Sequence, residues 1–156
     1  MTVGSLRIRL LLRESRSLAP ASLNRSEAAS TLLMLDDDLD YLALLERELG
    51  REDYRLLVAS DAAVAFEMLA YHEVGVVLCD QRMPGMSGIE FLTKVRSMYP
   101  RAVRLMCSGH TDFLVAQTAI NVGAVHKFIV KSENISELRA ILKEAFQVYR
   151  KSAVAR

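Results

Sequence analysis

Asp80 closes an apolar run at residues 74–79 and opens a turn rich in glycine and proline, Gln81-Arg82-Met83-Pro84-Gly85-Met86-Ser87-Gly88. A carboxylate there stands at the C-terminal tip of a buried strand, which in an open α/β sheet is the edge where ligands bind. Asp36, Asp37 and Asp38 follow a second apolar run, 31–35, and Lys131 follows a third, 125–130. Acids and a lysine then meet at one edge. Asp36, Asp37 and Asp80 offer hard oxygen ligands of the kind that hold Mg²⁺ together with waters and phosphate oxygens. Without a cation, like charges this close repel and raise at least one pKa. Asp38 reads as a helix N-cap. Ser108, between Cys107 and Gly109 at the end of another run, presents a hydroxyl that can donate to an anionic oxygen. Lys131 would act on phosphate as a point charge.

Five strand-length apolar runs carry these groups, at 31–35, 54–59, 74–79, 103–107 and 125–130, and amphipathic segments alternate with them. That alternation marks βαβ units and a parallel sheet, and right-handed crossovers make it doubly wound, with helices on both faces. Leu42, Leu45 and Leu49 give a first helix over 39–49, closed by Gly50. Asp61 caps a second near 62–72. A third, near 88–98, buries Ile89, Leu92 and Val95 and stops before Pro100. Thr111 caps a fourth that ends before Gly123, and Asn134 or Ser136 starts the fifth, whose stripe is Leu138, Ile141, Leu142, Ala145 and Tyr149.

With 156 residues, 51% of them hydrophobic and 25% charged, the chain suits one globular domain over 31–150, with a short tail at 151–156. The net charge of +1 divides unevenly, residues 1–30 carrying +3 and the rest −2. A mildly acidic body without a basic stripe gives no footprint for direct nucleic-acid binding. Residues 1–30 are rich in Arg, Ser and Ala, are interrupted by Pro20, and read as a basic, disordered extension or an overlong start. Rival readings of that segment are a transit peptide and a basic arm for a partner or an acidic membrane surface. Cys79 and Cys107 each end a strand as small hydrophobes, which fits a reducing cytoplasm. No apolar stretch approaches the ~20 residues of a membrane span.

Leu35-Asp36-Asp37-Asp38, the stretch from Asp80 to Leu92, Ser108-Gly109 and Phe128-Ile129-Val130-Lys131, taken in this order, resemble the response-regulator receiver domain, the CheY-like module of two-component signalling. The resemblance covers about residues 31 to 150. It implies a flavodoxin-like strand order of 2-1-3-4-5 with five helices. It also implies a receiver, rather than an enzyme acting on other substrates, in which Asp80 accepts a phosphoryl group from a sensor histidine kinase or a phosphotransfer protein; the expectation for this sequence is a stand-alone receiver of that kind. Asp37, Asp80 and the backbone carbonyl of Arg82 would hold Mg²⁺, with Asp36 acting mostly through bound water. Lys131 and Ser108 would contact phosphoryl oxygens. Ser108 and Phe128 would form a conformational switch altering the face made by the fourth helix, fifth strand and fifth helix, where a downstream protein target or a second copy would dock.

Some positions depart from the family pattern. Where the family usually has a proline after its lysine, often in cis, this chain has Ser132, for which a cis bond costs about 3 kcal/mol. Arg82 and His110 occupy positions that tune autodephosphorylation in the family. The stretch 120–124 and the loop after Asp80 are similar to receivers fused to output domains, including cyclic-dinucleotide phosphodiesterases, although the expectation here is a receiver without such a domain. Two rival readings differ in class. One is a haloacid-dehalogenase-like phosphatase, whose D-x-D motif Asp36-Asp37-Asp38 superficially matches, but Glu133, Glu137 and Glu144 make a poor late acidic pair. The other is a receiver fold that works as a phosphorylation-independent interaction module.

Overall fold

A computed structural model describes residues 30–109, 112–132 and 134–154, without the side chains of the last two. Five parallel strands, β1 (Thr31–Leu35), β2 (Arg55–Ala59), β3 (Val76–Cys79), β4 (Val103–Ser108) and β5 (Lys127–Val130), form one sheet in the order β2-β1-β3-β4-β5. The helices between and after them are α1 (Leu39–Leu49), α2 (Ala62–Tyr71), α3 (Gly88–Met98), α4 (Phe113–Asn121) and α5 (Ile135–Val154).

Alternation along the strands divides the core into two layers. Leu32, Met34, Val76, Leu78 and Leu105 point to one face, where Leu42, Leu45 and Leu49 of α1 and Leu138, Leu142 and Phe146 of α5 cover them. Leu33, Leu35, Val77, Cys79 and Met106 point to the other, against Met68 and Leu69 of α2, Phe91, Leu92 and Val95 of α3 and Ala119 of α4. Each fully buried Leu contributes about 1.5–3 kcal/mol relative to exposure, so both layers are needed to hold the sheet. The third helix turns slightly from the expected face: Phe91 is fully buried, while Ile89 is only half-buried.

Strand ends follow hydrogen bonds more closely than hydrophobicity. The apolar run at 125–130 starts its strand only at Lys127, because the Ala124 and Val125 amides donate to the Ala119 carbonyl and close α4. The last helix continues through Val154, into the stretch read as a tail, since nothing from Lys151 to Val154 interrupts it. Asp38, Asp61 and Ser87 cap α1, α2 and α3 with their side chains. The expected cap at Thr111 falls outside the described residues, and Asp112 occupies the N-cap position of α4. No peptide bond among the described residues is cis, including Lys131–Ser132.

Arg104, on the interior strand β4 between β3 and β5, is only 6% exposed. Its guanidinium donates to the carbonyls of Ala124 at 2.9 Å, Ala102 at 3.0 Å, Gly123 at 3.3 Å and Pro100 at 3.4 Å. It thereby ties the turn before β4 to the turn after α4. Arg104→Met preserves the stem and leaves those carbonyls without a donor, at a cost of about 3 kcal/mol. Chemical denaturation measures it, and a loss under about 1 kcal/mol would mean that water replaces the guanidinium.

Candidate functional site

The main-chain ladder delivers the acids to one place. The Asp36 amide donates to Ala59 O at 3.2 Å and the Asp80 amide to Leu35 O at 2.9 Å, so both carboxylates leave the sheet where β1 meets its neighbours. On a doubly wound sheet this is the crevice at which the strand order reverses. The Lys131 amide donates to Ser108 O at 2.8 Å and brings β4 and β5 to the same edge. Asp36, Asp80 and Ser108 are buried, while Asp37 is exposed at the rim.

Carboxylate oxygens of Asp36, Asp37 and Asp80 lie within 4.8 Å of one another. Two buried acids and one exposed acid suit a small hard cation that keeps part of its water, so the donor set fits Mg²⁺. The Lys131 ammonium supplies positive charge, 2.7 Å from Asp36 Oδ2 and 3.7 Å from Asp80 Oδ1, and lies 4.8 Å from the centre of the Tyr41 ring. Burial pushes the Asp36 carboxyl up to about 6, against the lowering pull of Lys131 and of the Asp38 amide that donates to Oδ1 at 2.9 Å. Burial opposes the Lys131 charge as well, but the hydrogen bond to Asp36 and the two carboxylates prevail and raise its pKa.

Ser108 Oγ lies 2.9 Å from Asp80 Oδ1 and 2.6 Å from Asp112 Oδ2. Asp112 escaped the sequence reading. Its other oxygen accepts from Arg82 Nε at 2.8 Å. Burial works against its charge, yet the hydrogen bonds from Ser108 and Arg82, with the charges of Arg82 and Lys131, hold the carboxyl below the usual carboxylate range. The four-residue spacing from Ser108 was its only signal, and that spacing has meaning only once the turn after β4 is known. The Arg82 side chain thus reaches Asp112 and remains largely exposed. Phe128 is half-buried against the Phe91 layer, and His110 lies outside the described residues.

The loop after Asp80 is stitched to α3. Gly88 N donates to Gln81 O and Ile89 N to Gln81 Oε1, both at 2.9 Å. Ser87 and Glu90 complete a reciprocal capping box. Gly85 turns the loop at φ +85°, a left-handed conformation that glycine adopts without penalty.

A buried aspartate, an acidic cluster, a hydroxyl and a lysine thus converge at the carboxyl edge of a doubly wound α/β sheet. The response regulator receiver domain family matches residues 32–143, and the chain belongs to that family. A hydrogenase transcriptional regulatory protein, HoxA of Cupriavidus necator, is 39% identical over 106 residues, which is 68% of this chain and 22% of the relative. The chain therefore spans about a quarter or less of the length of such curated relatives. Among solved structures, the signal receiver domain of an HD domain-containing protein from Pseudomonas fluorescens superposes with a TM-score of 0.76 at 28% identity, covering 89% of this chain and 99% of that one. The response regulator TrrA of Thermotoga maritima, in complex with Mg²⁺ and BeF, gives a TM-score of 0.65 at 25% identity, covering 74% of this chain and 97% of that one. Family membership displaces the phosphatase reading. Among the described residues no helix is long and apolar enough to cross a membrane.

Proposed function

We propose that Asp80 is the phosphoacceptor of this receiver, and that a sensor histidine kinase or a phosphotransfer protein is the donor. One arrangement carries the reading: a buried Asp80 carboxylate that contacts Ser108 at 2.9 Å and Lys131 at 3.7 Å beside two further acids. An Asp80 oxygen attacks phosphorus and a new O–P bond forms. The P–N bond to the donor imidazole breaks, its electron pair returns to nitrogen, and the imidazole regains a proton. Lys131 balances charge on the phosphoryl oxygens and Ser108 donates to one of them. Asp36, Asp37, Asp80 and the Arg82 backbone carbonyl would hold Mg²⁺, which when bound neutralises phosphoryl charge.

The same reading assigns Ser108 and Phe128 to the conformational switch, and Arg82 and His110 to control of the phosphoryl lifetime. Output passes to a downstream protein in the cytoplasm, without direct contact to nucleic acid. The face formed by α4, β5 and α5, with Phe113, Leu114 and Ile120 exposed, is the surface we assign to that target or to a second copy. Residues 1–30 are taken as an extension outside the receiver. Stand-alone action is part of the proposal, and the mass of the polypeptide isolated from its native source tests it.

The phosphoacceptor reading is tested by intact mass after incubation with acetyl phosphate, with Mg²⁺ or with excess chelator. The expected result is one added phosphoryl group that chelator prevents. Absence of added mass under conditions that label another receiver contradicts the reading and favours a phosphorylation-independent interaction module.

A further inference from the structure

Asp112 holds the N-cap position of α4 but does not cap it. Asp38, Asp61 and Ser87, in extended backbone, each turn a side-chain oxygen onto their own helix. Asp112, at φ −95° and ψ 15°, makes no side-chain cap hydrogen bond. Its carboxylate, only 3% exposed, turns back to Ser108 at 2.6 Å and Arg82 at 2.8 Å.

The Ser108 hydroxyl has one proton and faces two carboxylates, so it can donate to Asp80 or to Asp112 at any moment but not to both. The contact to Asp112 is the shorter, and Arg82 fixes the opposite oxygen of that acid. We propose that Asp112 is a positioning residue that competes with the Asp80 site for Ser108: it holds Ser108 and Arg82 in the resting arrangement and is displaced when Asp80 carries a phosphoryl group. The inference rests on Asp80 being the phosphoacceptor. Once Ser108 donates to a phosphoryl oxygen, Asp112 loses that donor, and the first turn of α4, which the Asp112 side chain does not cap, offers backbone N–H groups in its place. The state of Asp80 is thereby coupled to the start of α4 through a single hydroxyl.

A double-mutant cycle on the full chain tests this, using Asp112→Ala, Ser108→Ala and their combination. The readout is the affinity for beryllium fluoride in the presence of Mg²⁺, a phosphoryl mimic, measured by isothermal titration. Removing the competing carboxylate is expected to tighten binding about tenfold, the scale of one charge-assisted hydrogen bond no longer surrendered. In the Ser108→Ala background the same change is expected to move affinity less than about twofold, because Asp112 acts through Ser108. Asp112→Asn keeps the side-chain shape and a weaker acceptor, is expected to fall between wild type and Asp112→Ala, and carries the test if the alanine variant does not fold. Hydrogen exchange adds a second readout: beryllium fluoride is expected to slow exchange at the start of α4 in wild type and not in Asp112→Ala. Unchanged or weaker binding in the Asp112 variants, or a tenfold gain that persists without Ser108, overturns the inference while leaving Asp80 as phosphoacceptor. A wild-type protein that neither binds beryllium fluoride nor takes a phosphoryl group overturns both.

Discussion

Asp80→Asn is expected to abolish phosphoryl uptake while leaving the protein folded. Asparagine has the shape of aspartate and can still accept the Ser108 hydrogen bond through its carbonyl oxygen, so the packing at the tip of β3 is preserved. It has no anionic oxygen to attack phosphorus. Removing the Asp80 charge also removes a like charge that helps to push the Asp36 carboxyl up. Lys131 keeps its closer partner, Asp36, at 2.7 Å. The substitution should therefore be neutral or mildly stabilising in metal-free buffer, and loss of label cannot be put down to unfolding. Intact mass and a melting curve on the same sample separate the two effects. Retained label in Asp80→Asn would move the acceptor to another residue.

Gly88→Ala is expected to damage both the fold and the site. A Cβ on Gly88 would lie 2.2 Å from the Asp80 carbonyl oxygen, 2.9 Å from its carbon and 2.9 Å from Gln81 Cα. All three are backbone atoms, so no side-chain rotation relieves the clash, and α3 must retreat from the β3 tip. That retreat strains the Gly88-to-Gln81 and Ile89-to-Gln81 hydrogen bonds, which hold the loop carrying Arg82. The expected cost is about 3 kcal/mol, at the upper end for overpacking, or on the order of 10 °C in melting temperature. The rate of phosphoryl uptake should fall by at least about tenfold, because displacement on the order of 1 Å at a reacting centre is costly. Gly109→Ala provides the contrast, since a Cβ there meets nothing within 4 Å among the described residues. Equal behaviour of the two variants would contradict the close-approach argument.

Much of this site was legible in the sequence because its residues sit directly after strands. Asp36, Asp80, Ser108 and Lys131 each follow an apolar run, and a parallel sheet brings such positions to one edge whatever the intervening helices contain. Asp112 was hidden for the opposite reason: its contact with Ser108 depends on the path of a turn rather than on strand position. Arg104 was hidden too, since an arginine in a strand ordinarily signals a solvent-facing side, and only the two adjoining turns, whose carbonyls accept from its guanidinium, make its burial favourable. The shift from Ile89 to Phe91 on α3 has a similar origin. Helical spacing defines a stripe, but its phase against the sheet is set by how closely Gly88 lets the helix approach Asp80. Strand starts were misplaced where apolar residues such as Val125 give their amides to a helix end instead of the ladder.

The most direct test is to trap the phosphoryl bond chemically. Protein incubated with acetyl phosphate and Mg²⁺ is treated with borohydride, which reduces an aspartyl phosphate to homoserine, and the peptides are then mapped by mass. Homoserine at position 80, dependent on both phosphodonor and Mg²⁺, is the result predicted. Homoserine at another aspartate, or none when another receiver treated in parallel is converted, would contradict the assignment of Asp80.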